Sequence, residues 1–542
     1  MNTSSLYSHL MISLPHFPSR LPSTSSGIND VTINPIIVKG ILKKLKTNSA
    51  AGPDSLPPLF FHKTSESISF PLSTLFRTFL DLHSLPSEWK LSTVTPIFKK
   101  GVPSNPINYR PISLTCSCCK IMESIIANEL ITFLNDHHLI NKNQHGFLKR
   151  HSTVTNLLES TNDWTLSLSK HNSVIIAYID FQRAFDSVPH PKLLHKLSSY
   201  GIHGSLLFWI SSFLSNRLQR VRVGSALSGT CSVTSGVPQG SVIGCLLFNL
   251  YINDITDSLD STTTSKIFAD DLKIYTELSS TDSISNLQNH LNLIHLWSVT
   301  WQLQISHSKC HTLTLGPATI NQNLFISQTP ISVTSSIVDL GITIDPDLNF
   351  KQHIHDIVVR AKQRAALIHR CFISRKPVHL VRAYTAYVRP LLEYATQVWS
   401  PHHVSLINLL ETVQRGFTKR IPGFWNLSYA ERLNRLQLQS LEHRRLLSDL
   451  VLCFNIVHGL IALPFDDFFK LHNYTSTRGH TYKLIIPPSK TNRSKFFFTS
   501  RVIPVWNSLP QELVSVTTSS HFEKKIISSH DLTVFLFQLS YF

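Results

Sequence analysis

The sequence predicts an α+β protein, and three stretches carry the prediction. "VIIAYI" at 174–179 is apolar or aromatic throughout, as expected of a strand covered on both faces in the middle of a sheet. "KIFADDLKIY" at 266–275 sets two short apolar runs on either side of adjacent acids, the pattern of two strands turning back on each other. Beyond residue 350, Leu, Ile and Arg recur at helical spacing, so the last third reads mainly as helix. No internal repeat is visible.

Residues 1–35 open Ser, Thr and Pro rich, and the expectation there is disorder or the remnant of something longer. Order should begin with "VTINPIIVKGILKKLK", where Val38, Ile41, Leu42 and Leu45 share a helical face and Lys43, Lys44 and Lys46 point outward. "NSAAGPDSLP" breaks that helix. "SISFPLSTLFRTFLDLHSLPSEWK" resumes with a second apolar stripe, and the Pro-bounded strand "STVTPIFKKG" follows. "IMESIIANELITFLNDHHL" is amphipathic, with Ile121, Ile125, Leu130 and Phe133 among its apolar positions. After the strand at 174–179 the pattern tightens at Asp180, and the helix in "HPKLLHKLSSYGI" should close at a glycine cap, Gly201.

Across 542 residues, 42% hydrophobic content supports folded cores, and the net charge of +17 calls for a polyanionic partner. Residues 351–450 hold 16 Lys or Arg against 6 Asp or Glu, so a nucleic-acid surface is expected there, with Arg415, Lys419 and Arg420 as candidates; a solvated face is the plainer alternative. Among the eight cysteines the cluster "TCSCCK" lacks a second C-x-x-C half for zinc, and they read as reduced, intracellular thiols. The 28 histidines are scattered without an H-E-x-x-H pattern. No apolar run reaches the length of a membrane span, and the start lacks a charged region followed by an apolar block, so no membrane association is expected.

The two acids at Asp270 and Asp271 pose the chemical question. Asp is a comfortable turn residue, which explains them without function. As metal ligands they need at least one more carboxylate. Asp180, at the exit of the apolar strand and 90 residues earlier, can supply it, although strand ends also use Asp as a helix cap. If the hairpin lies beside that strand, the three acids meet at one sheet edge. They could then hold two Mg²⁺ ions, one lowering the pKa of an attacking hydroxyl and the other stabilising a leaving pyrophosphate.

The series "AYIDFQRAFDSV", "SGVPQGSVIGCLLFNLYIND", "IFADDLKIY" and "LGITIDPDLNF" resembles the successive palm motifs of reverse transcriptases from LINE-type retrotransposons, those without long terminal repeats. Upstream, "NSAAGPDSLPP", "WKLSTVTPIFKKG", "NYRPISLTCSCCKIMESII" and "QHGF" resemble the finger motifs of the same family. Order and spacing agree over about 35–360. "YTAYVRPLLEYATQVWSP" and "LETVQRGFTKRI" are similar to regions following the palm in the jockey and chicken-repeat groups.

The resemblance implies a right-hand polymerase with fingers at 36–170, an antiparallel palm sheet at 171–350, a basic helical thumb or connection at 351–470, and a C-terminal region of uncertain structure at 471–542. It implies RNA-directed DNA synthesis on an RNA template from a DNA primer, using deoxynucleoside triphosphates and two Mg²⁺ ions for which Mn²⁺ can substitute. Asp180, Asp270 and Asp271 fall on the metal-binding carboxylates. Phe185 falls under the nucleotide sugar, Gln239 and Gly240 beside the nucleotide and template, and Lys99 and Arg110 on the triphosphate, with Lys100 an alternative register for Lys99. Lys309 matches a lysine that protonates departing pyrophosphate.

Each has a plainer reading: Phe185 as a core aromatic, "GVPQGS" as a turn, the cations as surface charge. Val102, His151 and Cys245 depart from the usual pattern without removing a group the chemistry requires. Such elements normally carry an endonuclease ahead of the polymerase, so this chain would need pre-existing nicks or a separate endonuclease. The ending "HDLTVFLFQLSYF" looks foreign to the family. The expected location is a cytoplasmic ribonucleoprotein and the nucleus. An inactive nucleic-acid-binding remnant and an intron maturase are the alternatives.

Overall fold

The computed structural model describes residues 17, 20, 26–280, 282–318, 323–472, 479–489 and 491–528. Strand β3, Val174–Ile179, sits between two hydrophobic cores. Ile175, Ala177 and Ile179 face the first core, while Val174 and Ile176 face the second. Side chains alternate across a strand, so a strand apolar on both faces can bury itself only where both sides are covered.

β3 is central in a five-stranded sheet. It pairs antiparallel with β8, Asp271–Glu277, on one side and with β9, His311–Leu315, on the other. β7, Thr264–Phe268, flanks β8, and β12, Ser332–Val333, flanks β9. A second sheet draws its strands from either side of β3 in the chain. Its β1, Leu91–Phe98, pairs antiparallel with β2, Tyr109–Leu114, and parallel with β4, Arg217–Val223; β4 also carries the short strands β5, Ala226–Leu227, and β6, Cys231–Val233. The pairing of β1 with β4 joins segments more than one hundred residues apart, which no local pattern announces. Two small hairpins complete the strands: β10 with β11, Phe325–Ile326 and Thr329–Pro330, and β13 with β14, Ile337–Asp339 and Ile342–Ile344.

Helices cover the first core. Pro35–Lys43 is capped by Asn34, whose side chain accepts from the Ile37 N–H, and it buries Val38 and Leu42. Ser117–Asp136 buries Ile121, Ile125 and Leu130 as its spacing predicts, but also Cys118, Cys119 and Met122, so it is enclosed on more than one stripe. His190–Ser199 ends before Gly201, which takes φ +82°, the left-handed conformation a glycine cap supplies.

The second core gathers the helices Lys351–Cys371, Val404–Lys419 and Leu441–Val457, together with Thr153–Ser169 from much earlier in the chain. Trp164 and Leu168 of that early helix pack with the C-terminal helices, so the second core crosses the boundary expected near residue 170. Within 471–542, Phe498–Ser508 and Ser519–Ser528 pack against Leu441–Val457.

The expected disorder of residues 1–35 does not hold at the described positions. The Phe17 ring lies edge-on to Trp301 at 5.2 Å, Arg20 pairs with Asp257, and the Ile28 N–H donates to the Gly201 carbonyl at 2.8 Å. Aromatic and backbone contacts to the body of the protein hold what composition alone reads as loose. The ending at 530–542 lies outside the described residues. Among the described residues no helix is long and apolar enough to cross a membrane.

Candidate active site at a sheet edge

Antiparallel pairing of β3 with β8 brings the acids together. The register sets Ile179 opposite Leu272, so the next pair at the strand ends is Asp180 and Asp271. β7 and β8 close through Phe268 opposite Asp271, leaving Ala269 and Asp270 as the two-residue turn. Asp180 and Asp270 are half-buried, while Asp271 as a whole residue is exposed.

This arrangement shapes the electrostatics of the edge. Burial, then the Asp180 carboxylate, pushes the Asp270 carboxyl up; Lys99 and Arg110 oppose the shift. Asp271 is pushed up to about 7 by burial of its carboxyl in the crowded edge and by Asp270, Asp180 and Asp339, although part of the residue stays open to solvent. Asp270 and Asp271 therefore resist joint ionisation until a cation joins them.

Lys99 and Arg110 reach this edge from the other sheet. Arg110 lies in β2 opposite Ile97 of β1, and the Lys99 N–H donates to the Asn108 carbonyl at 2.8 Å just past the end of β1. Both side chains are exposed, and Lys99 bears on Asp270 and Asp271 alike. Lys309 sits in a single helical turn, His307–Lys309, with its Nζ 3.1 Å from Asp180 Oδ1. That turn is fixed by the Ser306 N–H, which donates to the Asp180 carbonyl at 2.8 Å.

Phe185 lies in the turn Ala184–Ser187 after Asp180. Its half-buried ring stacks on Phe248 at 4.1 Å and meets the edge of Phe147 at 6.0 Å, so it is at once a packed aromatic and a wall beside the acids' strand. The "GVPQGS" loop is braced against the same turn. The Val237 N–H donates to the Phe185 carbonyl at 2.8 Å, and Gln239 Nε2 donates to Asp186 Oδ1 at 3.2 Å. Gly240 has φ +114°, and a Cβ there would lie 2.6 Å from the Ser113 carbonyl oxygen, so only glycine fits.

The sequence pattern assigns no role to two supporting residues. The Glu123 carboxylate is fully buried and accepts from the Val242 and Ile243 N–H groups at 2.7 and 3.1 Å, holding the start of the helix that follows the loop. Gln144, within "QHGF", hydrogen-bonds the backbone of the acids' turn. Partners more than one hundred residues away are invisible in a linear pattern.

Arg415, Lys419 and Arg420 are exposed at the end of Val404–Lys419, with the Arg415 guanidinium 5.1 Å from the Tyr429 ring centre. They make no ion pair with the carboxylate edge among the described residues.

The acids are hard oxygen donors of the kind Mg²⁺ takes, yet among the described residues no three His, Cys, Asp or Glu side chains form a ready-made cage. That arrangement fits an ion held by one or two carboxylates and completed by substrate phosphates, which is how Mg²⁺ sites are commonly built.

Residues 97–344, which include this sheet edge, its flanking cations and the glycine loop, match the family "reverse transcriptase (RNA-dependent DNA polymerase)". Residues 97–344 of this chain are thus a domain of that family. More narrowly, the chain is similar to polymerases of mobile elements. It is 29% identical to the RNA-directed DNA polymerase from mobile element jockey of Drosophila melanogaster, over 71% of this chain and 43% of that protein. It is 27% identical to the probable RNA-directed DNA polymerase from transposon X-element of the same species, over 72% and 44%, and 28% identical to that from transposon BS, over 70% and 44%. The chain spans less than half the length of these curated relatives.

Proposed function

We propose that this chain is an RNA-directed DNA polymerase of a jockey-like retrotransposon, extending a DNA primer on an RNA template with deoxynucleoside triphosphates. The observation that carries the reading is the meeting of Asp180, Asp270 and Asp271 at one sheet edge with Lys99 and Arg110 beside them. In this reading 36–170 form the fingers, 171–350 the palm and 351–470 the thumb, with 1–35 and 471–542 packed against them where described.

In the reaction the primer 3′-oxygen bonds to the α-phosphorus of the incoming nucleotide, the bond to the β-phosphate oxygen breaks, and pyrophosphate leaves. Asp180, Asp270 and Asp271 would hold the Mg²⁺ ions, or Mn²⁺ in their place, which when bound acidify the primer hydroxyl and neutralise charge on the triphosphate. Lys99 and Arg110 pair with the triphosphate, where the planar guanidinium fork suits phosphate oxygens. The Phe185 ring excludes a 2′-hydroxyl by contact. Gln239 and Gly240 line the side where nucleotide meets template. Lys309 stands ready to protonate pyrophosphate once substrate draws it from Asp180. Arg415, Lys419 and Arg420 contact nucleic-acid backbone. The same reading places the protein in a cytoplasmic ribonucleoprotein and in the nucleus, with a separate endonuclease or an existing nick supplying the primer end.

The test is primer extension by purified protein on a homopolymer RNA with an annealed DNA primer and Mg²⁺ or Mn²⁺. Template-dependent extension supports the proposal. Tight RNA binding without extension would identify an inactive remnant instead.

A further inference from the structure

Asp270 is carried by a turn whose first residue is strained. Ala269 has φ +57°, in the left-handed region that a residue with a Cβ occupies unfavourably. Strain of this kind persists only where the surroundings over-determine it.

The surroundings here are largely one side chain. Gln144 is 2% exposed. Its Oε1 accepts from the Ala269 N–H at 2.8 Å and from the Gly146 N–H at 2.7 Å, and its Nε2 donates to the Ala269 carbonyl at 3.4 Å. The amide thus satisfies both backbone polar groups of Ala269. Gly146 completes the contact, since a Cβ on it would lie 2.4 Å from the Ala269 nitrogen.

The clamp is itself anchored. The Ile267 N–H donates to the Asn143 carbonyl and the His145 N–H donates to the Ile267 carbonyl, both at 2.9 Å, so 143–145 run alongside β7 like a further strand. Asn249 Nδ2 donates to the Gly146 carbonyl at 2.7 Å from the helix Ile243–Ile252, which follows the "GVPQGS" loop. One buried amide therefore ties the acids' turn to the frame that holds the nucleotide side of the site.

We propose that Gln144 is the positioning residue for Asp270 and Asp271, holding Ala269 left-handed so that both carboxylates present their oxygens at the sheet edge. This rests on the polymerase reading of the same edge. Gln144 touches no reacting atom; it acts through the backbone of Ala269.

The test uses the full chain with Gln144→Met, which keeps the side chain's bulk and removes its hydrogen bonds. Amide hydrogen exchange over 264–277 should accelerate in the variant, with exchange elsewhere and thermal stability little changed. Extension at saturating nucleotide should fall roughly 10- to 100-fold, the loss typical when a group orienting metal ligands is removed, while KM and RNA affinity stay put. Adding Ala269→Gly should restore part of the rate, because glycine takes positive φ without strain. Unchanged exchange in the hairpin would overturn the proposal, as would faster exchange with an unchanged rate. A global loss of protection that Ala269→Gly does not relieve would make Gln144 an ordinary core residue and also overturn it. If the wild type extends no primer, the polymerase reading fails, and the hairpin exchange alone decides whether the clamp exists.

Discussion

Around the acids several side chains that bear on chemistry already have partners, whereas the basic cluster at the end of Val404–Lys419 stands open to solvent. Lys309 pairs with Asp180, Gln239 with Asp186, and Gln144 with the Ala269 backbone. Arg415, Lys419 and Arg420 are exposed, and Arg415 alone rests on a ring. The contrast separates two kinds of work. Preorganised groups set rate and lose it abruptly when one is changed. Exposed cations set affinity by displacing counterions and lose it in increments.

The largest effect that would sharpen this contrast is expected at Asp180. Asp180→Asn should bring extension to background while leaving the folded protein and its RNA binding in place, checked by primer extension beside a binding titration. A variant that still extends at near wild-type rate would remove Asp180 from the site and undo the register argument.

Next comes a buried ion pair on the second-core side of the sheet. Lys273 Nζ lies 2.6 Å from Asp339 Oδ2, with both side chains nearly sealed from solvent. Lys273→Met should destabilise the fold by about 3–5 kcal/mol, because it leaves the Asp339 charge buried without its cation. Denaturant unfolding measures this. An unchanged midpoint would mean that Asp339 is neutral or solvated.

Phe185→Val should raise ribonucleotide incorporation relative to deoxyribonucleotide, since the ring's bulk is what meets a 2′-hydroxyl. Its stacking on Phe248 means that the change will also lower stability, by roughly 1–4 kcal/mol. The ratio of incorporation efficiencies separates the two effects. Equal losses for both sugars, with the ratio unmoved, would leave Phe185 only a packing role.

The smallest per-residue effect is expected in the basic cluster. Neutralising Arg415, Lys419 and Arg420 together should weaken RNA binding and flatten the dependence of log affinity on log salt by up to about 3 units of slope on duplex nucleic acid. An unchanged slope would show these charges to be solvated surface, and the affinity would then have to reside elsewhere.

The parts of this architecture legible in the sequence were those written in local pattern. β3 advertises its two-sided burial because all six of its residues are apolar or aromatic, and Gly201 marks the end of its helix because few other residues take that φ so readily. The acids were legible as a pair, but their union with Asp180 rests on the pairing of β3 with β8, which no stretch of either strand states alone. Nothing within "DLKIY" marks Lys273 as buried, because its partner Asp339 is 66 residues on. Gln144 was quoted only as a letter of "QHGF", since its role depends on a backbone conformation at Ala269 that the residue type argues against. Residues 17 and 20 and the helices after 490 were hidden for a similar reason: their order comes from tertiary contact and not from composition.

Asp270→Asn, measured for primer extension and RNA affinity in the same preparation, tests the division of labour most directly. The carboxylate sits on the strained turn, where Asp180, Lys99 and Arg110 all bear on its charge, so that charge should serve chemistry and not binding. The account predicts extension at background with RNA affinity and its salt dependence unchanged. Loss of affinity in step with loss of extension would contradict it, and would make Asp270 a residue of the fold and not of the reaction.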